Sequence, residues 1–212
     1  MRTMSPETAK KKEEKTELPE PDRVMIFIDG QNLFYGCGSY EHGFTWDYDK
    51  FVSLLTNLAP NRRLVEVYYH GSIAPIDPKR AGDDVRYRKQ QMFYNVLRGK
   101  CKAEIKITKL QSVNCPLCNQ TFKEPKEKGV DVALAADLLT YGMNEDYDVA
   151  ILVSGDSDYI PVLKKLSDRK PDVKIEIAQF SKMAGNDLRD CGFKFHPLEL
   201  YAQRFRREGP QA

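Results

Sequence analysis

The sequence predicts an α/β fold of three layers, with a mainly parallel central sheet and helices on both faces. Short apolar runs alternate with segments whose apolar residues recur at helical spacing, which is typical of parallel strands joined by helical crossovers. Two runs, 23–28 and 148–153, are almost wholly apolar, as central strands covered on both faces are. The chain has 212 residues, 41% of them hydrophobic, which suits one such domain.

The predicted elements follow one another regularly along the chain. After the first strand, apolar residues at helical spacing predict a helix over 47–58, which ends before Pro60. Further strands are predicted at 64–70, 103–110, 148–153 and 173–178, and further helices at 83–97, 129–141, 159–166 and 184–191. One domain over 23–200 therefore accounts for most of the chain.

Three segments differ from this pattern. Residues 1–22 mix lysine and glutamate with Pro19 and Pro21 and offer little to bury, which predicts a disordered charged tail. Residues 201–212 are predicted to form a basic C-terminal tail. The polar stretch 111–128 interrupts the alternation and predicts an insertion, a small ribbon that carries a CxxC pair.

Charge and composition narrow the classes of function. The 33 basic and 31 acidic side chains give a net charge of +2, which neither requires nor excludes a nucleic-acid partner. No apolar run approaches the roughly 20 residues that span a bilayer, and the N-terminus lacks the apolar core of a signal peptide. Five dispersed cysteines indicate a reducing compartment. We therefore expect a cytoplasmic protein with no membrane segment.

Acidic side chains follow the two most apolar strands. Asp29 comes directly after the first strand, Asp156 and Asp158 follow the strand 148–153, and Asp131 opens an apolar helix. Any one of these could simply cap a helix or make a turn. Together at one sheet edge, however, they would raise each other's pKa unless a cation joined them. Hard oxygen ligands of this kind predict a site for Mg²⁺ or Mn²⁺.

Other phosphate chemistries lack their motifs in this chain. There is no G-x-x-x-x-G-K-[ST], and no G-x-G-x-x-G follows the first strand. A phosphatase of the haloacid dehalogenase type would need a second aspartate where Gln31 stands. No G-x-S-x-G elbow is present, and Ser154 has no evident base partner.

Three motifs in order, FIDGQNL, KGVDVALAADLL and ILVSGDSDYIPVL, resemble the NYN family of PIN-like nucleases. The resemblance covers about 23–200 and implies a PIN-like fold. It also implies an endoribonuclease that hydrolyses RNA phosphodiester bonds with Mg²⁺ or Mn²⁺. Carried over by motif, the catalytic and metal-binding residues are Asp29, Asp131, Asp156 and Asp158.

Four further residues are predicted to support that site. Asn32 and Ser154 would hold waters or orient the carboxylates. Asp137 also belongs to the second motif, but six residues at about 100° each place it about 120° from Asp131 around a helix, so we predict an outer or structural role. Lys128 could meet a substrate phosphate, or equally be a solvated lysine.

Cys115 and Cys118 form half of the four-ligand set that structural zinc normally takes. Further ligands would have to come from a second chain, which would give a homodimer, or from Cys37, His42, His70 or Cys101. A reduced pair in a surface hairpin is the alternative.

RNA, single-stranded or structured, is the predicted partner. Basic residues that could follow a nucleic-acid backbone surround the helix 83–97, although such charges are more often a solvated helix face: Lys79, Arg80, Arg86, Arg88, Lys89, Arg98, Lys100 and Lys102. Two alternatives stay open at this point. One is a PIN-like module that binds RNA or protein with little cleavage, and the other is a structure-selective DNA nuclease.

Overall fold

The computed structural model describes residues 19–76, 81–107, 109–114, 117–118, 121–126 and 129–209. The strands are β1 (Asp22–Asp29), β2 (Arg62–Ile73), β3 (Lys102–Ile107), β4 (Lys109–Asn114), β5 (Thr121–Lys126), β6 (Val149–Val153), β7 (Lys174–Gln179) and β8 (Lys194–Pro197). The helices are α1 (Gly30–Tyr40), α2 (Tyr48–Thr56), α3 (Asp83–Arg98), α4 (Val130–Met143), α5 (Ile160–Arg169), α6 (Asn186–Arg189) and α7 (Ala202–Phe205). Two 3₁₀ turns, Ser157–Tyr159 and Leu198–Leu200, precede α5 and α7.

Six parallel strands form the central sheet in the order β3-β2-β1-β6-β7-β8. The chain builds outward from β1 to β3, then returns to β6 beside β1 and builds outward to β8. Strand order therefore reverses between β1 and β6, and the carboxyl ends of these two strands border a crevice.

Alternate side chains of each strand face two different helical layers, because successive residues of a strand point to opposite faces. From β1, Ile26 and Ile28 pack in a core with residues of α1, α2, α3 and α7. Met25 and Phe27 pack on the opposite face, in a core with residues of α4, α5 and α6. The predicted three-layer α/β fold is thus confirmed.

Helix α1 is not among the elements that hydropathy predicts. Its buried side chains are few, and it contains three glycines, which are poor helix formers. The helix begins at Gly30 because the Oδ1 of Asp29 accepts a hydrogen bond from the backbone N–H of Asn32 at 3.0 Å. A Cβ on Gly30 would lie 2.2 Å from the hydroxyl oxygen of Tyr69, so only glycine fits against β2 here.

The folded domain extends beyond the predicted boundary at residue 200. Ala202 and Phe205 are fully buried, and the ring of Phe205 lies 4.9 Å from that of Phe51 in α2. Arg206 makes a β-bridge with Trp46. The start of the predicted basic tail is thus part of the core, because its apolar residues cover α2.

The predicted insertion 111–128 contains most of a separate antiparallel ribbon. Its strands β4 and β5 pair from Lys109 with Lys126 to Asn114 with Thr121. The single strand predicted at 103–110 is accordingly divided between β3 and β4. Among the residues that the structure describes, no helix is long and apolar enough to cross a membrane.

Candidate active site

The carboxyl ends of β1 and β6 bring Asp29 beside Ser154. Ile28 pairs with Val153 in the sheet, and the two polar residues that follow are both buried. The hydroxyl of Ser154 donates to Oδ2 of Asp29 at 3.1 Å and accepts from the backbone N–H of Asp156 at 3.2 Å. Ser154 therefore connects the aspartate of the first motif to the loop that carries the third.

Asn32 holds the same loop from the other side. Its Oδ1 accepts hydrogen bonds from the backbone N–H of Gly155 and from the side-chain amide of Gln179, both at 2.9 Å. Gln179 is fully buried at the end of β7, and sequence reasoning missed it. A polar residue at the end of an apolar strand was the available signal.

Gly155 lies where the loop passes closest to a neighbouring backbone. A Cβ at this position would lie 2.2 Å from the carbonyl oxygen of Met183. Backbone atoms cannot move aside as a side-chain tip can, so any larger residue must displace the loop between Ser154 and Asp156.

We expect Gly155→Ala to lower the free energy of unfolding by about 1–3 kcal/mol, as overpacking does. Gly38→Ala is the matched control, because nothing lies within 4 Å of its Cβ position and alanine favours a helix by about 0.5–1 kcal/mol. Urea denaturation of both variants measures the difference. Equal stability of the two variants would contradict the close approach.

Asp131 and Tyr159 bring the second motif to this edge. Asp131 lies in the first turn of α4, and the hydroxyl of the buried Tyr159 donates to its Oδ1 at 3.5 Å. Burial raises the pKa of Tyr159, and the negative charges of Asp29, Asp131 and Asp156 raise it further. One hydroxyl thus lies in the field of all three aspartates, although sequence reasoning gave Tyr159 no role.

The carboxylates also influence one another. Partial burial raises the pKa of Asp131. The negative charges of Asp156 and Asp158 raise this pKa further, whereas the hydrogen bond from Tyr159 and the positive charge of Lys106 lower it. Asp158 is exposed, and its backbone N–H donates to Oδ1 of Asp156 at 2.9 Å. Asp29 and Asp156 therefore cap the turns that follow their strands, in addition to any role in binding.

The three aspartates do not form the tightest group of potential metal ligands. Among the described residues, three ligand atoms within 4.8 Å of one another occur in His70, Glu104 and Asp137. The carboxylate of Asp137 contacts His70, with its Oδ2 at 2.9 Å from Nε2.

The remaining predicted residues lie in or near the insertion. Lys128 and Cys115 are outside the described residues, so their roles stay predictions. Cys118 carries an exposed free thiol.

Comparison with known proteins identifies the family to which the chain belongs. The chain is a member of the NYN domain family, whose model matches residues 23–199, so the predicted resemblance is confirmed. Membership indicates the PIN-like nuclease superfamily.

Two similar proteins extend this result. The Low amplitude and bright protein LabA of Synechococcus elongatus (strain ATCC 33912 / PCC 7942 / FACHB-805) is 23% identical over 186 residues, which are 84% of each chain. The crystal structure of a protein of unknown function, VPA0982, from Vibrio parahaemolyticus RIMD 2210633 matches with a TM-score of 0.61 and 21% identity. The match covers 90% of this chain and 99% of the VPA0982 chain, and it supports the fold alone.

Proposed function

We propose that the protein is an endoribonuclease that hydrolyses RNA phosphodiester bonds and depends on Mg²⁺ or Mn²⁺. The observation that carries this proposal is that the hydroxyl of Tyr159, which donates to Oδ1 of Asp131 at 3.5 Å, lies in the electrostatic field of Asp29, Asp131 and Asp156. They lie at the crevice between β1 and β6, in a chain of the NYN family. Asp158 adds a fourth carboxylate at the exposed rim of this crevice.

The donor set of these aspartates suits a hard divalent cation. It consists of carboxylate oxygens, which Mg²⁺ and Mn²⁺ prefer. The negative charges of Asp156 and Asp158 raise the pKa of Asp131, so the carboxylates repel one another, and a bound cation would relieve that repulsion. A divalent cation at such a site polarises a phosphate oxygen and lowers the pKa of a bound water.

The chain's own groups would position substrate and carboxylates. Ser154 and Asn32 fix Asp29 and the loop after β6, so the carboxylates need little reorganisation. Lys106 donates to the carbonyl of Gly129 at 2.6 Å and places a positive charge near Asp131. A substrate phosphate entering beside Asp131 would therefore meet a cationic side chain.

Two exposed aromatic residues favour a substrate with unpaired bases. Phe34 and Tyr35 are 71% and 54% exposed on α1, with ring centroids 5.6 Å apart. Gln31 is the first exposed residue of α1 and lies beside the sheet edge. Phe34 is three residues later, which at a rise of about 1.5 Å per residue is about 4.5 Å from Gln31 along the helix axis. Aromatic rings so placed can stack with the bases of a single strand.

We expect Phe34→Ala to raise the KM for single-stranded RNA by roughly 5- to 150-fold with little change in kcat. This range corresponds to the about 1–3 kcal/mol that stacking contributes per base. Leu200→Ala is the matched control, since Leu200 is also 71% exposed but lies after β8. Steady-state cleavage of a labelled oligonucleotide measures KM and kcat for both variants. An equal rise of KM in Leu200→Ala would exclude a specific role of Phe34 in stacking with RNA bases.

The function itself is tested with labelled single-stranded RNA, structured RNA and DNA, each incubated with Mn²⁺, Mg²⁺ or a chelator. We expect internal cleavage of RNA with either metal and none with the chelator. Binding of RNA without cleavage would instead identify a binding module, and faster cleavage of DNA would identify a DNA nuclease. An Asp156→Asn preparation run in parallel separates the chain's own activity from contaminating nucleases.

A further inference from the structure

A second set of ligand side chains lies on the same face of the sheet as Asp29. His70 of β2 pairs with Asp29 of β1 on one side and with Glu104 of β3 on the other. Paired residues of neighbouring strands point to the same face, so the three form a row across the sheet. Asp137 of α4 covers this row, six residues or about 9 Å along the helix from Asp131.

The row opens into a surface cavity of about 390 Å³. Its lining includes His70, Glu104 and Asp137, together with the basic side chains of Arg98 and Lys102. Each of the three potential ligands offers an atom within 4.8 Å of the others. Solvent can therefore reach a group whose histidine is itself 1% exposed.

The histidine leaves one ring nitrogen unsatisfied. Its Nε2 lies 2.9 Å from Oδ2 of Asp137, and since a carboxylate only accepts, the neutral ring carries its proton on Nε2. The Nδ1 atom then presents a lone pair, and among the described residues this buried atom has no hydrogen-bond partner. Buried polar atoms are almost always partnered, so such an atom requires an explanation.

Glu104 faces this lone pair. Its Oε2 is 3.8 Å from Nδ1, which is too long for a hydrogen bond, while its Oε1 lies 3.4 Å from Nζ of Lys106. Bonds from zinc to imidazole nitrogen and carboxylate oxygen are each about 2.1 Å, and two of them span at most about 4.2 Å. The gap between Nδ1 and Oε2 is therefore wide enough for one metal ion.

We propose that Nδ1 of His70 and Oε2 of Glu104 bind a divalent transition-metal ion of the zinc type. Asp137 accepts the Nε2 proton and fixes the ring, as carboxylates do for metal-bound histidines. Water from the cavity completes the coordination. The imidazole ligand favours Zn²⁺ over Mg²⁺, which distinguishes this site from the aspartates near Tyr159. Arg98 and Lys102 also line the cavity, and their positive charges oppose cation binding.

The test is calorimetric titration of Zn²⁺ into the full chain carrying Cys115→Ser and Cys118→Ser, with excess Mg²⁺ present. The two substitutions remove the CxxC thiols, and Mg²⁺ occupies carboxylate-only sites. We expect one Zn²⁺ per chain. Glu104→Gln should weaken binding at least about 10-fold, and Asp137→Asn about 10- to 100-fold. His42→Gln, which removes an exposed imidazole, is the control and should bind as before.

Two outcomes would overturn the proposal. One is a folded parent chain that binds no Zn²⁺, and the other is a Glu104→Gln variant that binds as tightly as the parent. The side chain of Glu104 is 51% exposed, so this variant keeps its fold even where His70→Gln does not. In ¹⁵N spectra, Zn²⁺ should shift the Nδ1 resonance of His70, whereas a purely structural histidine would not respond. None of these measurements depends on RNA cleavage.

Discussion

Asp156→Asn is expected to lower the rate of metal-dependent RNA cleavage by about 10²- to 10³-fold, the usual effect of removing one preorganised electrostatic group. The substitution removes a negative charge near Asp131 and Tyr159 but preserves the shape of the side chain. Its amide oxygen can still accept from the backbone N–H of Asp158, as Oδ1 does now. Asparagine caps helices as well as aspartate does, so the fold should persist.

The measurement is single-turnover cleavage of labelled RNA with saturating Mn²⁺, alongside thermal unfolding of each variant. Asp168→Asn on the exposed face of α5 is the matched control and should cleave at the wild-type rate. Mn²⁺ binding followed by electron paramagnetic resonance should weaken in Asp156→Asn alone. A folded Asp156→Asn protein with wild-type cleavage would mean that Asp156 is not part of the catalytic site.

Much of the candidate site follows from the local sequence. Apolar runs identified β1 and β6 as central strands, and the residues after each strand had to lie at one edge of a parallel sheet. That rule placed Asp29 and Ser154 as neighbours, as their 3.1 Å hydrogen bond shows. The buried partners escaped prediction because they depend on contacts between distant strands. Gln179 is a polar residue at the end of an apolar strand, and His70 was considered only as a ligand for the CxxC pair. The partners of both residues cannot be identified until the strand order is known.

The fold was predictable to a similar extent, and for similar reasons. Elements with strong apolar periodicity were found, whereas α1 depends on a cap at Asp29 and on the fit of Gly30 against Tyr69. The boundary at 200 was placed too early because charge dominates the last residues, while the packing of this segment depends on two buried residues, Ala202 and Phe205. Such contacts are set by tertiary structure rather than by local composition.

We expect the second large effect from a buried ion pair, which lies on the face of the sheet opposite Asp29 and His70. Arg62 of β2 donates to both oxygens of Glu176 in β7, at 3.1 and 2.6 Å, and the imidazole of His196 in β8 lies 2.9 Å from Oε2. The side chains of Arg62 and Glu176 are 3% and 5% exposed. This network connects strands from both halves of the sheet.

Glu176→Gln is expected to lower the free energy of unfolding by about 3–5 kcal/mol at neutral pH, because it leaves the buried guanidinium of Arg62 without a counter-charge. The total free energy of unfolding of a native protein is about 5–15 kcal/mol, so this loss is large. The matched control is Glu208→Gln, which breaks an ion pair with Lys50 whose glutamate is 87% exposed. Such surface pairs contribute about 0–1 kcal/mol.

The pH dependence of this loss identifies its electrostatic origin. Burial alone would raise the pKa of Glu176, but hydrogen bonds from His196 and Arg62 lower it from 4.5 to about 2. The folded state thus gains stability from the ionised carboxylate above pH 4.5, and loses it as the pH falls from 4.5 towards 2. Glutamine cannot titrate, so the difference in unfolding free energy between wild type and Glu176→Gln should narrow across that window. Urea denaturation at several pH values measures it, and a difference that stays constant with pH would mean that the substitution acts through packing alone.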